Sequence, residues 1–142
     1  MAKRKLGIDY GDSRVGIAIT DPLCITAQGL ETIDYKGNDK MLLRRLDEIF
    51  ENYDIDTIVI GMPYNMNGSK SFRAEATEMF IHKLKCKYNT KQIVTMDERL
   101  TTVEAHRTMN MLGINKNKKK MIVDTISAVY ILEKYIANIS EK

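Results

Sequence analysis

The sequence predicts one α/β domain in which a mixed five-stranded sheet carries helices on both faces. Five short runs rich in Ile and Val occur along the chain, and after the third run they alternate with stretches of helical periodicity. The first three runs are separated only by short turns, which is typical of an antiparallel meander. The last two each follow a helix, which is typical of parallel crossovers. A length of 142 residues fits a single domain spanning residues 1–142.

The predicted meander occupies the first quarter of the chain. Residues 4–10 and 15–20 are strands, and Gly11-Asp12-Ser13 between them is a hairpin-type turn. Asp21-Pro22 ends the second strand, because proline cannot donate a hydrogen bond to a ladder. Residues 26–33 form a third, weaker strand.

The pattern then changes to helical spacing. Residues 39–53 place their apolar side chains on one helical face. Residues 56–61 are continuously apolar, as expected of a parallel strand buried on both faces. The remaining predicted elements are a loop at 62–70, a helix at 71–88, a strand at 91–96, a helix at 102–112, a basic loop at 114–120 and a final helix at 122–137.

Composition excludes several classes of protein. Hydrophobic residues make up 44% of the chain and charged residues 29%, which excludes a disordered chain. The net charge of +3 is compatible with a nucleic-acid partner without requiring one. Cys24 and Cys86 have no zinc or redox spacing. No apolar run has the length of a membrane span or a signal peptide, so we expect a cytoplasmic protein without membrane association.

Three acidic residues lie where α/β sheets bind ligands. Asp9 is at the end of the first strand, Asp97 and Glu98 follow the fifth, and Asp124 is in the first turn of the predicted final helix. Ligands in open α/β sheets collect at the carboxyl ends of strands. If the first and fifth strands run in the same direction, Asp9 and Glu98 lie at one edge of the sheet, and Asp124 could join them.

A divalent cation would resolve the repulsion within such a cluster. Mg²⁺ prefers oxygen ligands, and two ions together can activate water and stabilise the leaving oxygen of a phosphodiester. Each residue also has a simpler structural interpretation. Asp9 could simply be a residue that supports the turn. Glu98 and Asp124 could simply be acids that stabilise the N-terminus of a helix.

Basic residues near these acids are candidates for binding a nucleic-acid backbone. Guanidinium groups match phosphate bidentately, and a lysine run beside Asp124 fits phosphate contacts, although most such runs are solvated loops. The candidates are Arg14, Arg73, Arg99, Lys118, Lys119 and Lys120.

Four segments resemble the YqgF/RuvX family of pre-16S rRNA nucleases, which is related to Holliday junction resolvases. They read GIDYGDSRVGIAITD (7–21), IVIGMPYNMNGS (58–69), DERLTTVEA (97–105) and VDTISAVYILEKYI (123–136). The resemblance implies an RNase H-like fold and a carboxylate-metal nuclease site at Asp9, Glu98 and Asp124. It also implies trimming of the 5′ end of the rRNA precursor. Asn67 and Ser127 depart from the residues common in the family.

The leading hypothesis is therefore an endonuclease that depends on Mg²⁺ or Mn²⁺, with two ions, and that acts on structured RNA, namely pre-16S rRNA. One alternative is a resolvase of branched DNA, which needs a dimer to cut two strands symmetrically. Another is a non-catalytic rRNA-binding assembly factor. An ATP-binding lobe like those of the actin-like ATPases is disfavoured, because those proteins need two lobes. We expect a monomer or weak homodimer.

Overall fold

The computed structural model describes residues 3–65, 67–98 and 116–140, with all their side chains except those of 116–122 and 140. The elements are β1 (Arg4–Tyr10), β2 (Arg14–Thr20), β3 (Ala27–Asp34), α1 (Asp39–Asn52), β4 (Ile55–Met62), α2 (Phe72–Lys87), β5 (Gln92–Asp97) and α3 (Lys116–Ser140). From β1 to β5 each bound lies within one residue of its prediction.

The five strands form one mixed sheet in the order β3-β2-β1-β4-β5. β2 is antiparallel to both β1 and β3, whereas β4 is parallel to both β1 and β5. The predicted meander and crossovers are thus confirmed. Because β1, β4 and β5 run in the same direction, their carboxyl ends share one edge of the sheet.

The two faces of the sheet are packed differently. Branched residues of the strands meet α1 and α2 in one core, where Leu42, Leu46, Phe80 and Leu84 are almost fully buried. The opposite face is built largely from small residues and packs against α3, in a core of Ala18, Val59, Met96, Ala128, Ile131 and Leu132. Small side chains allow a helix to approach the sheet closely, so this face can bring α3 down onto the strands.

Side-chain caps fix the starts of the first two helices. The Asn38 side chain accepts hydrogen bonds from the backbone N–H groups of Lys40 and Met41, at 3.1 and 3.3 Å. Ser71 accepts one from the N–H of Ala74 at 3.1 Å. Such caps satisfy donors that have no partner within the helix.

The final helix differs from the prediction. α3 includes Lys116–Lys120, which the sequence placed in a basic loop, so that prediction is wrong for these residues. Lysine is a good helix former, and a lysine run can continue a helix along its solvated side. Asp124 consequently lies about two turns beyond Lys116 and not in a first turn. The predicted helix at 102–112 lies outside the described residues.

Among the described helices, none combines the length and the apolar character needed to cross a membrane.

Candidate active site

Asp9 lies between two glycines of the neighbouring strands. It precedes the last residue of β1 and has 8% of its surface exposed. Across the antiparallel ladder its partner on β2 is Gly16. On the β4 side, Ile8 pairs with Ile60. The parallel register therefore continues with Gly61 beside Asp9. Because glycine has no side chain, other parts of the protein can approach this carboxylate from both neighbouring strands.

Gly16 allows α3 to deliver Asp124 to the site. A Cβ atom at position 16 would lie 1.9 Å from the carbonyl oxygen of Asp124 and 2.9 Å from the backbone nitrogen of Thr125. Only glycine accommodates that approach. Since Gly16 is the ladder partner of Asp9, the contact sets Asp124 next to Asp9 although 115 positions separate them in the sequence.

Gly61 serves the same purpose for Glu98. The backbone N–H of Glu98 donates to the carbonyl of Met62 at 3.1 Å, which continues the pairing of β5 with β4. A Cβ atom on Gly61 would lie 2.7 Å from Oε2 of Glu98 and 3.0 Å from its Cβ. Because β4 separates β5 from β1, Glu98 reaches Asp9 only by crossing β4 at this glycine.

Asp9 and Glu98 form a buried, hydrogen-bonded carboxyl pair. Each has 8% of its surface exposed. Burial raises the pKa of Asp9, a trend that the hydrogen bond from Glu98 opposes and nearby Asp124 reinforces. Burial and the charge of Asp9 raise the pKa of Glu98 to about 10. Burial of two adjacent carboxyl groups therefore favours a proton shared between Asp9 and Glu98 at neutral pH.

Asp124 is close to this pair but is bound to another group. Arg14 Nε donates to Oδ2 of Asp124 at 3.0 Å. Within the described ranges no three His, Cys, Asp or Glu side chains are grouped closely enough to hold a metal ion. The structure thus brings Asp9 and Glu98 together, and it places Asp124 beside them on an ion pair with Arg14.

The donor set nevertheless suits a hard divalent cation. All three side chains offer carboxylate oxygens, which Mg²⁺ and Mn²⁺ prefer. Without a cation, the two buried carboxyl groups must share a proton to reduce their repulsion. A bound cation can replace that proton and neutralise their negative charge. Asp124 would have to turn from Arg14 towards Asp9 for all three carboxylates to bind one centre.

Among the described basic side chains, Arg73 is the one whose charge acts on both members of the carboxyl pair. Its guanidinium donates to the carbonyl oxygen of Tyr10 at 3.0 Å. Its charge also acts to lower the pKa of both Asp9 and Glu98, against the larger effect of burial. Arg73 therefore places a positive charge beside the carboxyl pair.

The other basic candidates occupy different positions. Arg14 is committed to Asp124 in the ion pair described above. Lys118, Lys119 and Lys120 lie on α3, about one to two turns before Asp124. Arg99 lies outside the described residues, and the lysine side chains do as well, so their contacts remain predictions.

Sequence reasoning missed an aromatic anchor beneath the turn that follows Asp9. The Tyr35 hydroxyl donates to the carbonyl of Gly11. The Tyr10 hydroxyl donates to Asp39 at 3.1 Å, and its ring stacks on Phe80 with centroids 4.2 Å apart. These contacts fix both residues after Asp9. No local sequence pattern predicts these contacts, because the partners come from the residue after β3, from α1 and from α2.

Sequence reasoning also missed the importance of Gly16 and Gly61, although a signal was present. In GIDYG, RVGIAIT and IVIGM, large branched residues alternate with small ones. An alternation with period two assigns the small residues to one face of the sheet. That face is the one on which Asp9 lies, so the pattern indicates where another element approaches.

Comparisons with known proteins agree with this architecture. Residues 3–138 match the family model of RuvX, described as Holliday junction resolvase. A protein of Ruminiclostridium cellulolyticum named "Putative pre-16S rRNA nuclease" is 56% identical over 137 residues, covering 96% of each chain. A protein of the same name from Acetivibrio thermocellus is 50% identical over 133 residues, covering 94% of each.

Solved structures show the same fold at low sequence identity. T. thermophilus RuvC in complex with Holliday junction substrate has a TM-score of 0.57 at 11% identity, covering 96% of both chains. The fowlpox virus Holliday junction resolvase has a TM-score of 0.53 at 13% identity, covering 95% of this chain and 99% of that one. The fold is therefore RNase H-like, as the resemblance implied. With a family match across nearly its whole length, the chain belongs to the RuvX family.

Proposed function

We propose that this protein is an endonuclease that hydrolyses phosphodiester bonds in structured RNA with the help of bound divalent cations. The observation that carries the proposal is the buried pair of Asp9 and Glu98, with Asp124 delivered beside it by the close contact of α3 with Gly16. Burying two adjacent carboxyl groups lowers the stability of the folded protein. Such an arrangement is expected where the groups have a chemical task.

Asp9, Glu98 and Asp124 would hold the cations, Mg²⁺ or Mn²⁺, and a pair of ions fits phosphodiester hydrolysis. When bound, the ions supply an activated water and stabilisation of the charge on the leaving oxygen. The chain itself orients the carboxylates through two strand ends and a helix, and it limits access of bulk water to Asp9 and Glu98.

Basic side chains at this edge of the sheet would position the substrate backbone. Arg73 and Arg14 both lie within the electrostatic reach of the carboxylates, where their fork-shaped guanidinium groups can meet phosphate oxygens. Arg99, Lys118, Lys119 and Lys120 are proposed to extend this contact along the nucleic acid.

The proposed substrate is the precursor of 16S rRNA, trimmed at its 5′ end. Support comes from the relatives that carry this nuclease name and share about half of their residues with the chain over nearly its whole length. Cleavage should be assayed on a precursor 16S transcript with its 5′ leader, in Mg²⁺, in Mn²⁺ and in excess EDTA. We expect cleavage with either cation and none in EDTA.

Asp9→Asn should lower the cleavage rate by about 100-fold or more, because metal-assisted hydrolysis contributes several kcal/mol to the barrier. Asp54→Asn is the matched control. It makes the same change at an exposed position directly before the first residue of β4, at the opposite edge of the sheet from Asp9. Cleavage by Asp9→Asn at the wild-type rate would refute the site. RNA binding that is indifferent to EDTA and to loss of all three acids would favour a non-catalytic assembly factor.

A second candidate function is resolution of branched DNA, favoured by the description of the family model and by the fold shared with resolvases. A four-way DNA junction and the precursor transcript should be compared at one salt concentration. Symmetrical cutting of the junction by a dimer, with no cleavage of the transcript, would favour the resolvase.

A further inference from the structure

The ion pair between Arg14 and Asp124 joins a candidate phosphate ligand to a candidate metal ligand. Arg14 is the first residue of β2, and its Nε atom lies 3.0 Å from Oδ2 of Asp124. The two side chains are 34% and 24% exposed, so a ligand can reach both. The backbone of Asp124 is held against Gly16. A move of Asp124 from Arg14 to the buried carboxyl pair would therefore have to be a change of its side chain, not of its backbone.

We infer that Arg14 holds Asp124 in a resting position, and that a substrate phosphate bound by Arg14 releases Asp124 to complete the metal site. This inference rests on the proposed function. The inference adds an order of binding to that function. Metal binds weakly to the protein alone and more tightly once nucleic acid is present.

Two physical effects of Arg14 act in the same direction. The guanidinium attracts the Asp124 carboxylate away from Asp9 and Glu98, and in this arrangement the described residues offer no three-ligand group. Its positive charge also opposes the approach of a divalent cation. A phosphate on Arg14 removes both effects, because it competes for the guanidinium and neutralises its charge.

Arg73 does not act in this way. Its guanidinium donates to a backbone carbonyl, that of Tyr10, so its position does not depend on a carboxylate that the metal needs. Arg73 can bind phosphate without releasing a metal ligand. Of these two described arginines, the coupling is accordingly specific to Arg14. Linkage requires it to be reciprocal, so bound metal must tighten nucleic-acid binding by the same factor.

The first experiment measures Mn²⁺ binding to the purified full chain, by isothermal titration calorimetry or by electron paramagnetic resonance, without nucleic acid. Arg14→Gln is compared with wild type and with Arg45→Gln. Arg45 is the control, since it forms ion pairs with Glu31 and Glu48 away from this edge of the sheet, and its pair with Glu31 has similar exposures of 40% and 26%. We expect Arg14→Gln to bind Mn²⁺ about fivefold more tightly than wild type, and Arg45→Gln to bind as wild type does.

The second experiment measures the affinity of a fluorescent 2′-O-methyl RNA stem-loop in EDTA and in Mn²⁺, and denaturing gel electrophoresis after each titration verifies that the RNA is intact. For wild type we expect Mn²⁺ to tighten RNA binding by about fivefold or more, and for Arg14→Gln by a clearly smaller factor. Thermal melting verifies that each variant is folded. If Arg14→Gln does not fold, Arg14→Lys replaces it, with the same direction and a smaller change expected.

The outcomes separate the two ideas. If Arg14→Gln binds Mn²⁺ no more tightly than Arg45→Gln while wild type does bind it, Arg14 does not restrain Asp124, and the proposed nuclease function is unaffected. If no variant binds Mn²⁺, with or without RNA, the proposed metal-dependent function is itself wrong, and the coupling is refuted with it.

Discussion

The carbonyl oxygen of Asp124 occupies the place where Gly16 would carry a Cβ atom, with a separation of only 1.9 Å. This contact involves the backbone of α3, which cannot move without shifting the helix across β2 and its neighbours. The relationship between the two residues therefore links the packing of one face of the sheet to the position of a proposed metal ligand.

Gly16→Ala should destabilise the protein severely, by about 3 kcal/mol or more, because a backbone clash cannot be relieved by a side-chain rotation. Urea denaturation followed by circular dichroism measures this loss. An unchanged midpoint would mean that α3 does not rest on Gly16 as described.

Gly61→Ala should behave differently. Its added Cβ would meet the side-chain atoms Ile131 Cδ1 at 2.5 Å and Glu98 Oε2 at 2.7 Å. Flexible side chains can move aside, so we expect a loss of only about 1 to 2 kcal/mol in stability. Cleavage should fall by about 100-fold, because Glu98 is displaced from Asp9. Parallel denaturation and cleavage assays test this, and full activity in Gly61→Ala would contradict the role of the glycine.

The carboxyl pair predicts an unusual dependence of stability on pH. Because the folded state raises the pKa of both Asp9 and Glu98, it binds more protons than the unfolded state above their ordinary pKa values. The free energy of unfolding of the metal-free protein should therefore fall as pH rises from about 5 towards the raised pKa of Glu98 at about 10, by at most about 1.4 kcal/mol per pH unit for each proton.

Glu98→Gln removes one of the two carboxyl groups that share this proton, so the stability of the variant should vary less with pH, and at neutral pH it should exceed that of metal-free wild type. Mg²⁺ should raise the melting temperature of wild type more than that of Glu98→Gln. Asp54→Asn, an exposed substitution, should keep the wild-type slope. A slope unchanged in Glu98→Gln would show that the pair is not the source.

Ser127 offers a contrasting test of stability. It is fully buried in α3, and its Oγ atom has no hydrogen-bond partner in the described part of the chain. Ser127→Ala should stabilise the protein by about 1 kcal/mol, since it removes a desolvated hydroxyl. Ser71→Ala should cost about 1 kcal/mol, since it deletes the N-cap of α2. Melting temperatures that shift in the same direction for both would contradict these assignments.

Much of the fold was accessible from local patterns. The period-two runs and the helical stretches place β1 to β5, α1 and α2 within a residue of their bounds, because burial on a known face imposes that periodicity. The extent of α3 was not accessible in the same way. Lys116–Lys120 carry no apolar signal, so their helical state depends on the propensity of lysine and on continuity with the buried part of the helix.

The candidate site was only partly predictable. Sequence alone proposed Asp9, Glu98 and Asp124 as candidates, because acids at strand ends suggest metal binding and because the motifs around them resemble a known family. It could not indicate that Glu98 hydrogen-bonds with Asp9 while Asp124 pairs with Arg14. Those choices depend on distances between side chains of different elements, which no spacing along the chain encodes.

The sequence by itself determined the kinds and order of the described elements and proposed the acidic candidates, since these follow from periodicity and residue type. Tertiary structure decided which of those residues meet. Gly16 and Gly61 leave room beside Asp9, α3 and Glu98 fill that room, and burial then makes two carboxyl groups share a proton. The physical reason is that close packing is set by contacts between strands and helices that are remote in the chain, and the electrostatics of the site follow from that packing.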